Sequence, residues 1–342
     1  DQKFENAAVE GHLTATFSGA TAEERKAGAE ALASIVKEEG VRAFTVYKMN
    51  EKMAEGIQHK KDPVQVEGAL ELLLATAGTG QQAEPHILSA LPLVFECFGH
   101  KEAAVRELAQ KTVDAALEMM SPYAVGFVLP LLFKVLDESR KWQAKEAALK
   151  FIGNLVGTNK QAQVSAAMPD MVPQLVNYLQ DTKKQVADAC NEAFLKACGP
   201  VGNRDIEPYA PILASALGNP SEVPDAIHKL SSTTFVQNVE APALAVMAPI
   251  LQRGLQDRTL AQTAIKRKSA VITDNMCKLV EDPVHAQPFL PKLLPLLKKN
   301  SEDVADPEAR NVTIKATKML LQVAEVNEEE ASAMSEEARA DV

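Results

Sequence analysis

Leu91-Pro92-Leu93-Val94-Phe95-Glu96-Cys97-Phe98 decides the fold, because its frame keeps returning along the chain. Pro92, Pro130, Pro173, Pro211, Pro249 and Pro291 follow one another at steps of 38, 43, 38, 38 and 42 residues. Leu, Val or Ala precedes each proline. An apolar residue follows at +2 (Val94, Leu132, Leu175, Leu213, Leu251, Leu293) and another at +6 (Phe98, Leu136, Leu179, Leu217, Leu255, Leu297). A polar break comes next. A period of about 40 residues with two helical stretches per unit describes an all-α solenoid, whose units bury their apolar faces only against neighbours. Such a chain offers a surface to other macromolecules rather than a pocket for chemistry.

The period and the proline in the first stretch make these HEAT-type repeats, about seven to eight helix pairs in a superhelical array. Proline inside a helix removes a backbone donor and bends or breaks the first helix of each unit. The second helices carry 3.6-residue stripes. These are Ala144, Ala148, Phe151, Ile152 and Leu155; then Val186, Cys190, Ala193, Phe194 and Ala197; then Val312, Ala316, Met319, Leu320 and Val323. Upstream, Val41–Gln58 and Pro63–Ala77 form another pair, degenerate because Ala54 stands where the proline would fall. Thr21, with Glu24 three residues on, predicts a capping box. Extra residues around 157–167 and 256–262 are expected to be loops. The expected organisation is an N-terminal segment of unassigned order (1–20), the solenoid (21–325) and an acidic C-terminal linker or tail (326–342).

The 342 residues are 46% hydrophobic and 5% aromatic, with Trp142 the single tryptophan. No apolar run approaches the roughly 20 residues of a membrane span. The polar N-terminus DQKFENAAVEGHL predicts no signal peptide, and its first residue, Asp1, makes a processed or excised chain the expectation. Cys97, Cys190, Cys198 and Cys277 have no zinc-like spacing and read as reduced, buried side chains of a cytoplasmic protein. Net charge is −10, unevenly spread. The last 18 residues carry seven acids and one arginine, whereas residues 253–299 carry nine Lys/Arg against four Asp/Glu. A local basic stripe attracts nucleic acid whatever the overall sign.

No phosphate-binding loop occurs, for the chain has no Gly-Lys pair, and no G-x-G-x-x-G is present. The six histidines are scattered without metal-ligand spacing. The expectation is a chain that is not an enzyme and holds no metal or cofactor.

One segment departs from generic repeat sequence: Ala264-Ile265-Lys266-Arg267-Lys268-Ser269-Ala270-Val271-Ile272-Thr273-Asp274-Asn275-Met276-Cys277-Lys278-Leu279-Val280-Glu281-Asp282-Pro283. On a helix, Ile265, Ser269, Ile272, Met276 and Leu279 form the buried stripe. Arg267 and Lys278 fall opposite with Asp274 between them, Lys266 lies to one side and Lys268 borders the stripe. One reading is a solvated face with an Asp274–Lys278 pair worth a few tenths of a kcal/mol. The other is a phosphate-facing patch of Lys266, Arg267, Lys268 and Lys278, with Arg253, Arg258, Lys292, Lys298 and Lys299 nearby.

With Thr233-Thr234-Phe235-Val236 upstream and Pro288-Phe289-Leu290-Pro291-Lys292-Leu293-Leu294-Pro295 downstream, this segment resembles the N-terminal HEAT region of fungal-type translation elongation factor three. The likeness runs most closely from about Thr233 to Leu320, and more loosely back to about residue 60. It implies a ribosome-associated factor that helps release deacylated tRNA from the E site. In that family, HEAT repeats precede a helical bundle and two ATP-binding cassettes with an inserted chromodomain-like element. The implied role for this chain is docking on rRNA and ribosomal proteins near the small-subunit head. ATP and magnesium would belong to the cassettes, whose motifs this chain lacks. A monomer without a membrane or small-molecule partner is expected. A related run in the HEAT-repeat co-activator of a translational-control kinase keeps a second reading open, a protein–protein adaptor scaffold of that type or like a transport receptor.

Overall fold

The computed structural model describes residues 2–59, 61–158, 161–327 and 329–333. Among these residues there is no strand, and the helices form eight pairs within two compact units, Asp1–Leu155 and Val156–Val342. In the first unit α1 (Gln2–Ser18) pairs with α2 (Ala22–Glu39). The short α3 (Arg42–Val46) and α4 (Met49–Gln58) pair with α5 (Pro63–Ala77), α6 (Glu84–Glu96) with α7 (Ala103–Met119), and α8 (Val125–Glu138) with α9 (Trp142–Val156). The second unit pairs α10 (Gln161–Tyr178) with α11 (Lys184–Cys198) and α12 (Ala210–Gly218) with α13 (Val223–Ser231). It continues with α14 (Ala241–Leu255) and α15 (Gln262–Cys277), then α16 (Pro283–Ala286) and α17 (Leu290–Asp303) against α18 (Pro307–Ala324).

The repeating proline does two things. Pro92, Pro130, Pro173 and Pro249 lie inside α6, α8, α10 and α14. Pro211 and Pro291 instead occupy the first turns of α12 and α17, where a missing N–H costs nothing, and a single 3-10 turn precedes each of those helices. An internal proline deprives the carbonyl four residues earlier of its donor. For Pro173 that carbonyl belongs to Pro169, and Lys292 Nζ of α17 donates to it at 3.1 Å. In the degenerate unit Lys48 supplies the break between α3 and α4 by taking a left-handed conformation, φ 51°.

Apolar periodicity places the core. The stripes expected in α9 and α11 are buried in full. In α18 the buried line is displaced: Ala309, Thr313, Ala316, Thr317, Leu320 and Leu321 are inside, while Val312, Met319 and Val323 are half exposed. Thr313 Oγ1 donates to the Ala309 carbonyl at 2.8 Å and Thr317 Oγ1 to that of Thr313 at 2.9 Å, so both hydroxyls enter the core already bonded.

The Thr21–Glu24 capping box forms, with Glu24 N donating to Thr21 Oγ1 at 3.2 Å. Residues 161–167, expected as loop, extend α10 toward its N-terminus, whereas residues 256–261 are a loop. Residues 2–18, placed outside the repeats by the sequence, form α1, which buries Val9, Leu13 and Thr16 against α2 and α5. Of the acidic tail, residues 329–333 are helical and bury Ala331, and residues 334–342 lie outside the described residues.

Neighbouring repeats cap one another. The last turn of a helix leaves carbonyls without partners. Lys141 Nζ donates to the Glu96 carbonyl at 2.7 Å, Arg253 Nη1 to that of Leu217 at 2.5 Å, and Asn300 Nδ2 to that of Leu255 at 2.8 Å. The loops are laced too. Asp205 Oδ2 accepts from the backbone N–H groups of Val236 and Gln237, both at 2.8 Å, and Val239 N donates to the Leu279 carbonyl at 2.9 Å. These bonds fix the irregular segment that follows Thr233. No single helix among the described residues is long and apolar enough to cross a membrane.

Candidate functional site

The second helices of the last three repeats lie side by side, α15 packed between α13 and α18. The inner side of α15 buries Ile265, Ser269, Ala270, Ile272, Thr273 and Met276. Lys266, Arg267 and Lys268 are half exposed, so the triplet forms a ridge above this core. Each member has a local partner. Lys266 Nζ lies 3.5 Å from Gln262 Oε1, Arg267 Nη1 meets Glu308 Oε1 of α18 at 2.8 Å, and Lys268 Nζ abuts His228 Nδ1 of α13. Charge compensation for the three consecutive cations thus comes from Glu308 of the following repeat, while His228 of the preceding one adds a polar contact.

Two turns further along α15 the geometry differs from the sequence reading. Asp274, expected on the outer side with Arg267 and Lys278, is buried, and Leu279, expected in the stripe, is half exposed. The Asp274 side chain is 7% exposed. Its Oδ2 accepts from Lys278 Nζ at 2.5 Å and lies 3.8 Å from Lys315 Nζ of α18. Its Oδ1 is buried without a hydrogen-bond partner. The bond to Asp274 raises the Lys278 pKa, against a smaller opposing effect of desolvation. The separation Asp274–Lys315 repeats the 41 residues of Arg267–Glu308, with acid and base exchanged. Lys315 escaped the sequence reading although that spacing, one repeat, would have pointed to it.

The remaining candidates do not share this layer. Arg253 (α14) and Lys292 (α17) belong to first helices and direct their donors at backbone carbonyls, and burial lowers both pKa values. Lys292 also lies over the Phe289 ring, 5.5 Å from its centroid. Lys298 Nζ lies 3.4 Å from Ser332 Oγ, and Lys299 is exposed. Arg258 is exposed on the 256–261 loop, near the fully exposed Leu260.

All four cysteines are free and buried. Burial pushes the thiols of Cys97, Cys198 and Cys277 up to about 12, and raises that of Cys190 as well. Among the described residues no group of three or more His, Cys, Asp or Glu side chains could hold a metal ion.

The fold and this surface define a class, a helical-repeat module with a basic ridge along one second helix. Residues 25–194 match the family model described as EF3 N-terminal HEAT repeat, and residues 222–331 the one described as Elongation factor 3/GNC1 HEAT repeat. The chain belongs to the elongation factor 3 family of HEAT-repeat proteins. It is 40% identical over 319 residues to elongation factor 3 of Gonapodya prolifera, covering 93% of this chain and 29% of that protein. Against elongation factor 3 of Phytophthora infestans it is 46% identical over 242 residues, 70% of this chain and 23% of that protein. The chain therefore spans less than a third of the length of these relatives. Among solved structures, that of Kap121p aligns with 96% of this chain and 34% of that one, at 12% identity and a TM-score of 0.44.

Proposed function

We propose that this chain is a ribosome-docking module of a cytoplasmic translation elongation factor. The observation that carries the reading is the ridge of Lys266, Arg267 and Lys268, extended along α15 to Lys278, in a member of this family. Cations on one ridge neutralise rRNA phosphates and release counterions. Such contacts position the module without reading sequence. Arg258, Lys298 and Lys299 add charge at the borders, while Arg253 and Lys292 act within the fold. The module takes no cofactor, has no catalytic step of its own and works as a monomer. Its docking near the small-subunit head would support E-site tRNA release by the whole factor, whose ATP and magnesium belong to cassette domains.

The test is sedimentation of the purified chain with 40S, 60S and 80S ribosomes across a salt series. Saturable binding should weaken steeply with salt and drop when Lys266, Arg267 and Lys268 are all changed to Gln. Absence of binding even at low salt would overturn the reading.

A groove of about 260 Å³ between α7 and α9 favours a second reading. Phe98, Val113 and Phe151 line it together with the charged Asp114, Glu146 and Lys150, and Gln143 and Asn154 add amides suited to an extended peptide backbone. A partner captured there should survive RNase and high salt, which an RNA-held partner would not.

A further inference from the structure

We infer that Asp274, Lys278 and Lys315 form a seat for one backbone phosphate of the RNA that meets the α15 ridge, with Asp274 as its positioning residue. The inference rests on the docking role proposed above. It adds to that role a lysine from the next repeat and a carboxylate that binds no RNA itself.

Geometry supplies the first argument. Lys278 leaves the end of α15 and Lys315 the middle of α18, yet both ammonium groups converge on the same oxygen, Asp274 Oδ2, at 2.5 and 3.8 Å. Two ammonium groups this close repel, and on their own two long side chains would splay apart. The carboxylate beneath holds them together. Exposure supplies the second. The lysine side chains are 39% and 65% exposed against 7% for the aspartate, so cations face the solvent and the anion faces the core. One acid under two bases leaves a net positive charge directed outward, which is the requirement for an anion seat.

Both lysines gather at Oδ2, while Oδ1 is buried without a hydrogen-bond partner and takes no part in the seat. Last, Arg267–Glu308 sets a boundary. Two turns toward the N-terminus the same groove carries the reversed arrangement, one acid on one base, so the surplus positive charge of the groove lies at Asp274.

The test is fluorescence anisotropy of a fluorescein-labelled RNA duplex with the full chain across a salt series, run beside ribosome sedimentation. The proteins are the native chain, Lys278→Gln, Lys315→Gln, the double variant and Asp274→Asn, with thermal melting to check folding. Each lysine change should lower the slope of log affinity against log salt by about 0.9, and the double change by little more, because both lysines serve one phosphate. Asp274→Asn decides the positioning role by its sign. It removes a negative charge near a polyanion, so a bystander would bind RNA more tightly after the change, whereas loss of a positioning residue weakens binding.

Tighter binding by Asp274→Asn, or a slope for Lys315→Gln equal to that of the native chain, would overturn the seat. The exposed Lys315 keeps the test decisive if Asp274→Asn folds poorly. Duplex binding with the expected slopes but no ribosome binding would sink the docking role and leave the seat standing. Ribosome binding lost in the Lys266/Arg267/Lys268 variant but untouched by Lys278→Gln and Lys315→Gln would do the reverse. No binding to either sinks both.

Discussion

Arg253 donates to the carbonyls of Leu217 and Ala216 at 2.5 and 3.2 Å, closing the C-terminus of α12 from a helix one repeat away. A charged donor on a helix-end carbonyl contributes about 1.5–3 kcal/mol. Arg253→Ala should therefore lower the urea midpoint of the chain while leaving its RNA affinity unchanged, the opposite of what is expected for the triplet on α15. The thiols give a second residue-scale prediction. Their ordinary value is 9.0, and burial raises Cys97, Cys198 and Cys277 to about 12. Below pH 9.0 both folded and unfolded thiols are protonated and the stabilising difference is fully present. Between there and about 12 the unfolded chain ionises first, so stability falls as pH rises. Urea melts at mildly and strongly alkaline pH should show that loss. At neutral pH a thiol-specific reagent should leave the native chain almost unlabelled.

At the scale of elements, α1 shows how closely helices must approach to complete a unit. A Cβ on Gly68 of α5 would stand 2.0 Å from the Thr16 carbonyl of α1. Backbone cannot swing away as a side-chain end can, so Gly68→Ala should destabilise the first unit by about 1–3 kcal/mol, read from urea denaturation. The role of α1 was illegible in the sequence because it lacks the proline frame and packs through small residues on its partners. The proline frame and the stripes of α9 and α11 were legible, since Leu, Ala, Phe and Cys announce burial by themselves. In α18, Thr313 and Thr317 misled because a hydroxyl bonded to its own helix behaves as a core side chain. Asp274 was misread because the second lysine that accompanies its burial lies in another repeat. The nine cations looked like one patch for a related reason. First and second helices alternate within each repeat, so residues close in sequence, such as Arg253 and Lys266, belong to different layers.

For the molecule as a whole, the chain divides into two compact units, and in the second the packing reaches beyond adjacent repeats, since α10 packs on α14 and Lys292 of α17 bonds to Pro169 of α10. Cys97 reports on the first, and Cys190, Cys198 and Cys277 on the second. Pulsed thiol labelling along a urea gradient should place exposure of Cys97 at lower urea in Gly68→Ala and leave the other three near their native positions. Simultaneous exposure of all four in that variant would show the units to unfold as one. The caps between repeats also bear on how the chain is made. The donors for the Glu96 and Leu255 carbonyls, Lys141 and Asn300, each lie 45 residues later. At translation speeds of about 5–20 residues per second, the ends of α6 and α14 emerge some 2–9 s before the side chains that close them. A nascent chain of this kind carries its most recent repeat unfinished, and slow codons placed one repeat downstream of a helix would lengthen the time its end stays open.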